Sequence, residues 1–173
     1  TVFDKSIQRS TLANDGSTFN GQLIILDYET LGEVLFRGQA SVENGEFEIN
    51  FIVPRDIVVP VGNGKISFYS KTEIPLSDQR GYNFDIQIGG VNLNAAVDNQ
   101  GPNIELYMND ESFISGGITN ENPILIAKLY DENGINTASG VGHDIVAILD
   151  GDETNPFILN DYYIADVDSY QSG

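Results

Sequence analysis

The sequence predicts an all-β protein made of two immunoglobulin-like antiparallel β-sandwiches, the second of them, and to a lesser degree the first, truncated. Three observations carry that expectation. Apolar and polar residues alternate with the period of two that half-buried strands require. Turn-forming clusters interrupt the alternation about every ten residues, the spacing of short antiparallel strands. No segment of about ten residues or more has the apolar spacing of an amphipathic helix.

Taken in order, strands are expected over residues 23–26 and 33–42, then over 47–53, where Phe47, Ile49, Phe51 and Val53 alternate with Glu46, Glu48, Asn50 and Ile52 between Asn44-Gly45 and Pro54. Residues 64–71 follow, and Tyr82, Phe84, Ile86 and Ile88 repeat the alternation up to Gly89-Gly90. Further strands are expected at 104–108, 124–129, 145–149 and 157–164. Turns are expected at Asn14-Asp15-Gly16, Asn20-Gly21, Gly62-Asn63-Gly64, Gln100-Gly101-Pro102, Ser115-Gly116-Gly117 and Asp150-Gly151-Asp152. The polar run Val97 to Gln100, closed by Gly101-Pro102, marks the expected boundary: residues 1–98 form a first sandwich lacking an N-terminal strand, and 101–173 begin a second lacking its closing strands. About four strands in roughly 70 residues fall short of the seven strands and ~100 residues of an immunoglobulin-like domain. Thr1 is not a natural initiator, so a longer precursor is expected.

At 173 residues and 40% hydrophobic content the chain can bury a core. A formal charge of −18 repels phosphate backbones and anionic headgroups, which argues against nucleic acid and membrane-surface partners. No apolar run approaches the roughly 18 residues of a membrane-spanning helix, so direct membrane insertion is not expected. With no cysteine there is no disulfide, thiolate metal site or cysteine nucleophile.

The loop Asp131-Glu132-Asn133-Gly134-Ile135-Asn136-Thr137, with Gly140-Val141-Gly142-His143-Asp144 after it, joins two strand candidates and holds the only histidine. A general base needs a substrate group in reach and an orienting carboxylate. Asp144 is adjacent, but neighbours on a strand face opposite ways. His143 is therefore read as a structural hydrogen-bonder, and no catalytic residue is assigned. Asp150, Asp152 and Asp161 are the calcium candidates, because oxygens at alternating loop positions can wrap that cation and Asp161 stands at the spacing of the last acidic ligand of a calcium loop. The sixth position is Asn155 where such a loop has glycine, and the alternative is a solvated acidic turn. Paired carboxylates for glycoside hydrolysis carry no weight in a chain with 26 acids. Tyr107, Tyr130, Tyr162 and Tyr163 could form a sugar-stacking face, although the adjacent pair is expected to place one ring in and one out. A carbohydrate-binding or calcium-stabilised adhesion module is thus the alternative reading.

One ordered set of segments spans nearly the whole chain: Gly45-Glu46-Phe47, Phe51-Ile52-Val53-Pro54-Arg55-Asp56-Ile57, Gly64-Lys65-Ile66-Ser67-Phe68-Tyr69, Gly101-Pro102, the 131–137 loop, Gly142-His143-Asp144-Ile145, Leu149-Asp150 and Leu159-Asn160-Asp161-Tyr162-Tyr163. This set resembles the C-terminal region of the gingipain-related cysteine peptidases of the PorU type, the sortases of the type IX secretion system in Bacteroidetes. The resemblance implies β-sandwich domains behind an upstream caspase-like catalytic domain that keeps its own His and Cys, so neither catalytic residue transfers here. It also implies work at the outer-membrane cell surface. There the family removes a C-terminal sorting signal from secreted cargo and attaches the new end to anionic lipopolysaccharide, beside an outer-membrane β-barrel partner. No cofactor is implied.

Overall fold

The computed structural model describes residues 1–55, 57, 60–95, 97–138 and 144–173. The described chain is all-β: β1 (Val2–Phe3), β2 (Ile7–Ser10), β3 (Thr18–Phe19), β4 (Gln22–Leu23), β5 (Asp27–Thr30), β6 (Val34–Phe36), β7 (Gly62–Asn63), β8 (Lys65–Glu73), β9 (Leu76–Asn83), β10 (Gln87–Ile88), β11 (Asn103–Met108), β12 (Leu125–Tyr130), β13 (Val146–Ala147) and β14 (Phe157–Ile158), with one 3-10 turn at Asn160–Tyr162.

Two compact units divide the chain. The first holds Thr1–Leu35 and Arg55–Val91, the second Phe36–Pro54 and Asn92–Gly173. The division read from the sequence at 98–101 assigned residues 36–54 differently, to the N-terminal sandwich.

The first unit is organised by a sheet in the order β6-β1-β8-β9, with β8 and β9 paired antiparallel from Ile66↔Asn83 to Glu73↔Leu76. Val2 and Leu35, each 3% exposed, and Ile88 are its buried apolar side chains. Asp4 is buried with them, and its carboxylate accepts from Lys5 Nζ at 2.7 Å, which gives the buried charge its partner. β2 with β5 and β3 with β4 make two-stranded ribbons, the latter closed by Asn20-Gly21 with both residues at positive φ.

The alternation at 82–88 is interrupted. Asn83 Oδ1 accepts from the Asp85 N–H at 2.5 Å, an Asx turn that ends β9 before Phe84. Tyr82 and Phe84, read from the alternation as the apolar side of a half-buried strand, are exposed and meet edge to face at 5.3 Å, with Lys65 Nζ 5.9 and 5.4 Å from their centroids. Gly62-Asn63, expected as a turn, pairs as β7 with β10.

In the second unit β11 and β12 pair from Asn103↔Tyr130 to Met108↔Leu125. That register puts Ile104, Leu106, Met108, Leu125, Ala127 and Leu129 on one face. Leu129 is buried, whereas Ile104, Leu106 and Leu125 are exposed. Phe36, Ala138, Tyr163 and Ala165 complete the buried apolar set.

The strand expected over 47–53 is absent. The hairpin stops at the bridge Glu43↔Glu46, and Phe51 leaves the alternation to stack on Phe36 at 4.9 Å and 15°. Ring packing with a residue distant in sequence overrides the local pattern. Residues 157–164 likewise pass from β14 into the 3-10 turn rather than continuing as a strand.

Many large apolar side chains of these strands are exposed, Leu76, Ile104, Leu106 and Leu125 among them.

Candidate functional site

The 131–137 loop is a set of nested turns. Asp131 is buried, its Oδ1 accepts from the Asn133 N–H at 2.8 Å, and its carbonyl accepts from the Gly134 N–H at 3.1 Å. Gly134 takes φ +91°, as the Asn-Gly dipeptide predicts. The chain end holds the loop from the other side: the Asp131 N–H donates to the Gln171 carbonyl at 2.8 Å, and Gln171 Nε2 donates to the Glu132 carbonyl at 2.7 Å. Buried Asn160 ties the next segments together, accepting from the Ile145 N–H at 2.9 Å and donating to the Thr137 carbonyl at 3.3 Å. His143 lies outside the described residues; Asp144 is exposed.

The calcium candidates are occupied differently from one another. Asp152 Oδ1 accepts from both the N–H and the hydroxyl of Thr154, at 3.0 and 2.6 Å, and its Oδ2 accepts from Asn155 Nδ2 at 2.8 Å. Asp161 stands beside Arg37, 3.7 Å from Nη2. Asp150 occupies the left-handed corner before Gly151, at φ +53°. Among the described residues no three acidic or imidazole side chains converge as a metal-holding group.

The Asp152 arrangement recurs, and local sequence could have revealed it. In Asp15-Gly16-Ser17 and Asp110-Glu111-Ser112 the carboxylate again accepts from the N–H and hydroxyl two residues on. Asp168 does the same at long range, accepting from the Ser41 N–H at 2.8 Å and its hydroxyl at 2.6 Å. Hydrogen bonds to the charged form hold these four carboxyls below the usual carboxylate range, the Ser or Thr hydroxyl bond being the largest cause in each. A general acid needs the opposite displacement.

The sign for stability follows. A carboxyl depressed in the folded state stabilises fully above its unfolded value of about 3.9, and that contribution disappears as pH falls through the folded value. Ser41→Ala removes the hydroxyl bond to Asp168, the larger of the two causes, and leaves the backbone one, so its melting temperature should fall less steeply than the parent's between pH ~5 and ~2. Parallel slopes would contradict the assignment.

Ser41 and Asp168 also border a cleft of the second unit, about 680 Å³, with Phe36, Phe47 and Tyr170 among its walls and Glu43 and Glu46 at its turn. That turn is the Asn44-Gly45 hairpin, closed by reciprocal Glu43 and Glu46 backbone bonds of 2.9 Å. Aromatic walls and a carboxylate rim suit a cationic or neutral polar chain and repel phosphate. Nothing local in the sequence announces this cleft, because its halves lie 127 residues apart.

The tyrosine pair has one ring on each side: Tyr162 is 80% exposed and Tyr163 is 8% exposed. Burial of Tyr163 removes half of the expected sugar-stacking pair. Its buried hydroxyl has no hydrogen-bond partner among the described residues. Burial, with the Asp166 carboxylate adding to it, pushes the phenol up to about 12. Stability linked to this group is present below the unfolded value of about 10 and is lost as pH rises toward the folded value. Tyr163→Phe should raise stability by about 1 kcal/mol, since an unsatisfied buried hydroxyl is removed, and should reduce the alkaline loss. A lower urea midpoint for the variant would show that the hydroxyl is bonded.

No protein-family model, curated protein or solved structure matches this chain.

Proposed function

We propose that this chain is a non-catalytic supporting part of a cell-surface secretion sortase of the gingipain-related type, with immunoglobulin-like sandwiches that space or dock an upstream cysteine-peptidase domain. The observation that carries the reading is how the acids are used. Asp15, Asp110, Asp152 and Asp168 spend their oxygens on Ser and Thr hydroxyls and backbone N–H groups, as turn-builders do. The ordered resemblance along the chain supplies the family, and the exposed apolar face of β11 and β12 supplies a surface for a protein partner. On this reading the chain works outside the cell at the outer membrane. Its neighbours are the catalytic domain, a β-barrel partner in the membrane and the passing cargo.

The test is incubation of this chain with a peptide carrying a cargo sorting tail and an acceptor nucleophile, with and without the peptidase domain. Cleavage and transfer are expected only when the peptidase is present. Product formed by this chain alone would reject the proposal.

A further inference from the structure

β9 is a margin of the first unit's sheet, and its outer side pairs with no described strand. Which of its backbone groups point outward can be fixed. The Thr1 amino group donates to the Ser67 carbonyl and the Ser67 N–H donates to the Thr1 carbonyl, both at 2.9 Å, so the peptide groups of Ser67 face β1. By the period of two, those of Ile66, Phe68, Ser70 and Thr72 face β9. The register Phe68↔Gly81, Ser70↔Gln79 and Thr72↔Ser77 then turns Ser77, Gln79 and Gly81 inward. Leu76, Asp78, Arg80 and Tyr82 are left with outward N–H and C=O groups. Such a margin invites another strand.

The side chains on this margin are complementary to themselves. Leu76 is 86% exposed and Tyr82 68% exposed, and Asp78 and Arg80 are exposed without an ion pair to any described residue. An antiparallel pairing of two copies about a two-fold axis through Gln79 sets Asp78 opposite Arg80 of the second copy, and Leu76 opposite Tyr82 of the second copy, each twice. It also pairs every outward group from Leu76 to Tyr82. Centring on Asp78 or Arg80 instead would oppose like charges, which is unfavourable across a strand pair. The β8–β9 hairpin carries Lys65, Lys71 and Arg80 against Glu73 and Asp78, a net positive stretch in a chain of −18. Two copies meeting there are spared much of their mutual repulsion.

We propose that β9 is a self-association edge through which two copies of this chain pair isologously about Gln79. Sedimentation equilibrium of the full chain over a concentration series tests it. A monomer–dimer equilibrium is expected. Asp78→Arg should weaken it by about tenfold or more, and combining it with Arg80→Asp should restore it. Arg80→Pro should abolish the dimer while leaving the thermal melt in place, because the N–H it removes points away from β8. If that variant unfolds, the charge-exchange pair still decides. A chain monomeric up to millimolar concentration would overturn the proposal, as would a dimer indifferent to both the single and the exchanged charges.

Discussion

Replacing Gly32 with alanine is expected to destabilise the first unit by roughly 2–3 kcal/mol, read as a lowered urea midpoint. A Cβ at this position would overlap the Lys5 carbonyl oxygen and stand 2.7 Å from both the carbonyl carbon and oxygen of Asp4. These are backbone atoms, which cannot swing aside as a side-chain tip can. The Asp4 N–H donates to the Glu33 carbonyl at 2.8 Å beside the same contact, so the added methyl forces β1 away from β6. Val2 and Leu35, among the most deeply buried apolar residues of that unit, lie on those strands and lose packing with the bond. An unchanged midpoint would show that the backbones do not approach as described.

The second large effect is expected at Gly134. Valine there must hold φ near +91°, which a β-branched residue resists, and its Cβ would lie 3.0 Å from Tyr170 Cδ2 and 3.2 Å from the Tyr170 carbonyl oxygen. A loss of about 1–3 kcal/mol is expected, with Gly134→Asn milder because asparagine tolerates the left-handed region. Equal midpoints for the parent and the valine variant would show that the turn is not required. The consequence extends past the turn, since the neighbouring Asp131 and Glu132 backbone groups bond to Gln171.

Parts of this fold are legible in the sequence for physical reasons, and other parts are hidden for equally physical ones. Residues 103–108 and 125–130 announce themselves because both are dense in strand-forming apolar and aromatic side chains, and Asn20-Gly21 and Asn133-Gly134 because few dipeptides take positive φ so readily. β9 is hidden: Leu76-Ser77-Asp78-Gln79-Arg80 reads as polar loop, yet a marginal strand held by the β8 ladder needs no buried face. β2 and β5 escape notice in the same way. The alternation at 47–53 misleads because the Phe51 ring is claimed by Phe36, a contact that no local window contains.

The candidate site divides similarly. Asp150, Asp152 and Asp161 look like a ligand series when only acids are counted. The hydroxyl two residues after Asp152, repeated after Asp15 and Asp110, is the overlooked signal that these carboxylates cap turns. The pairing of Ser41 with Asp168 could not be read locally, because it depends on the chain returning after most of its length.

In the proposed role these strands offer apolar faces to a protein partner, which carries the reactive chemistry. Titration calorimetry of this chain against a peptidase domain of the proposed gingipain-related type, repeated at several temperatures, addresses that directly. Binding with a clearly negative heat-capacity change is predicted, the mark of apolar surface leaving water. Absence of binding, or binding with no heat-capacity change, would contradict it.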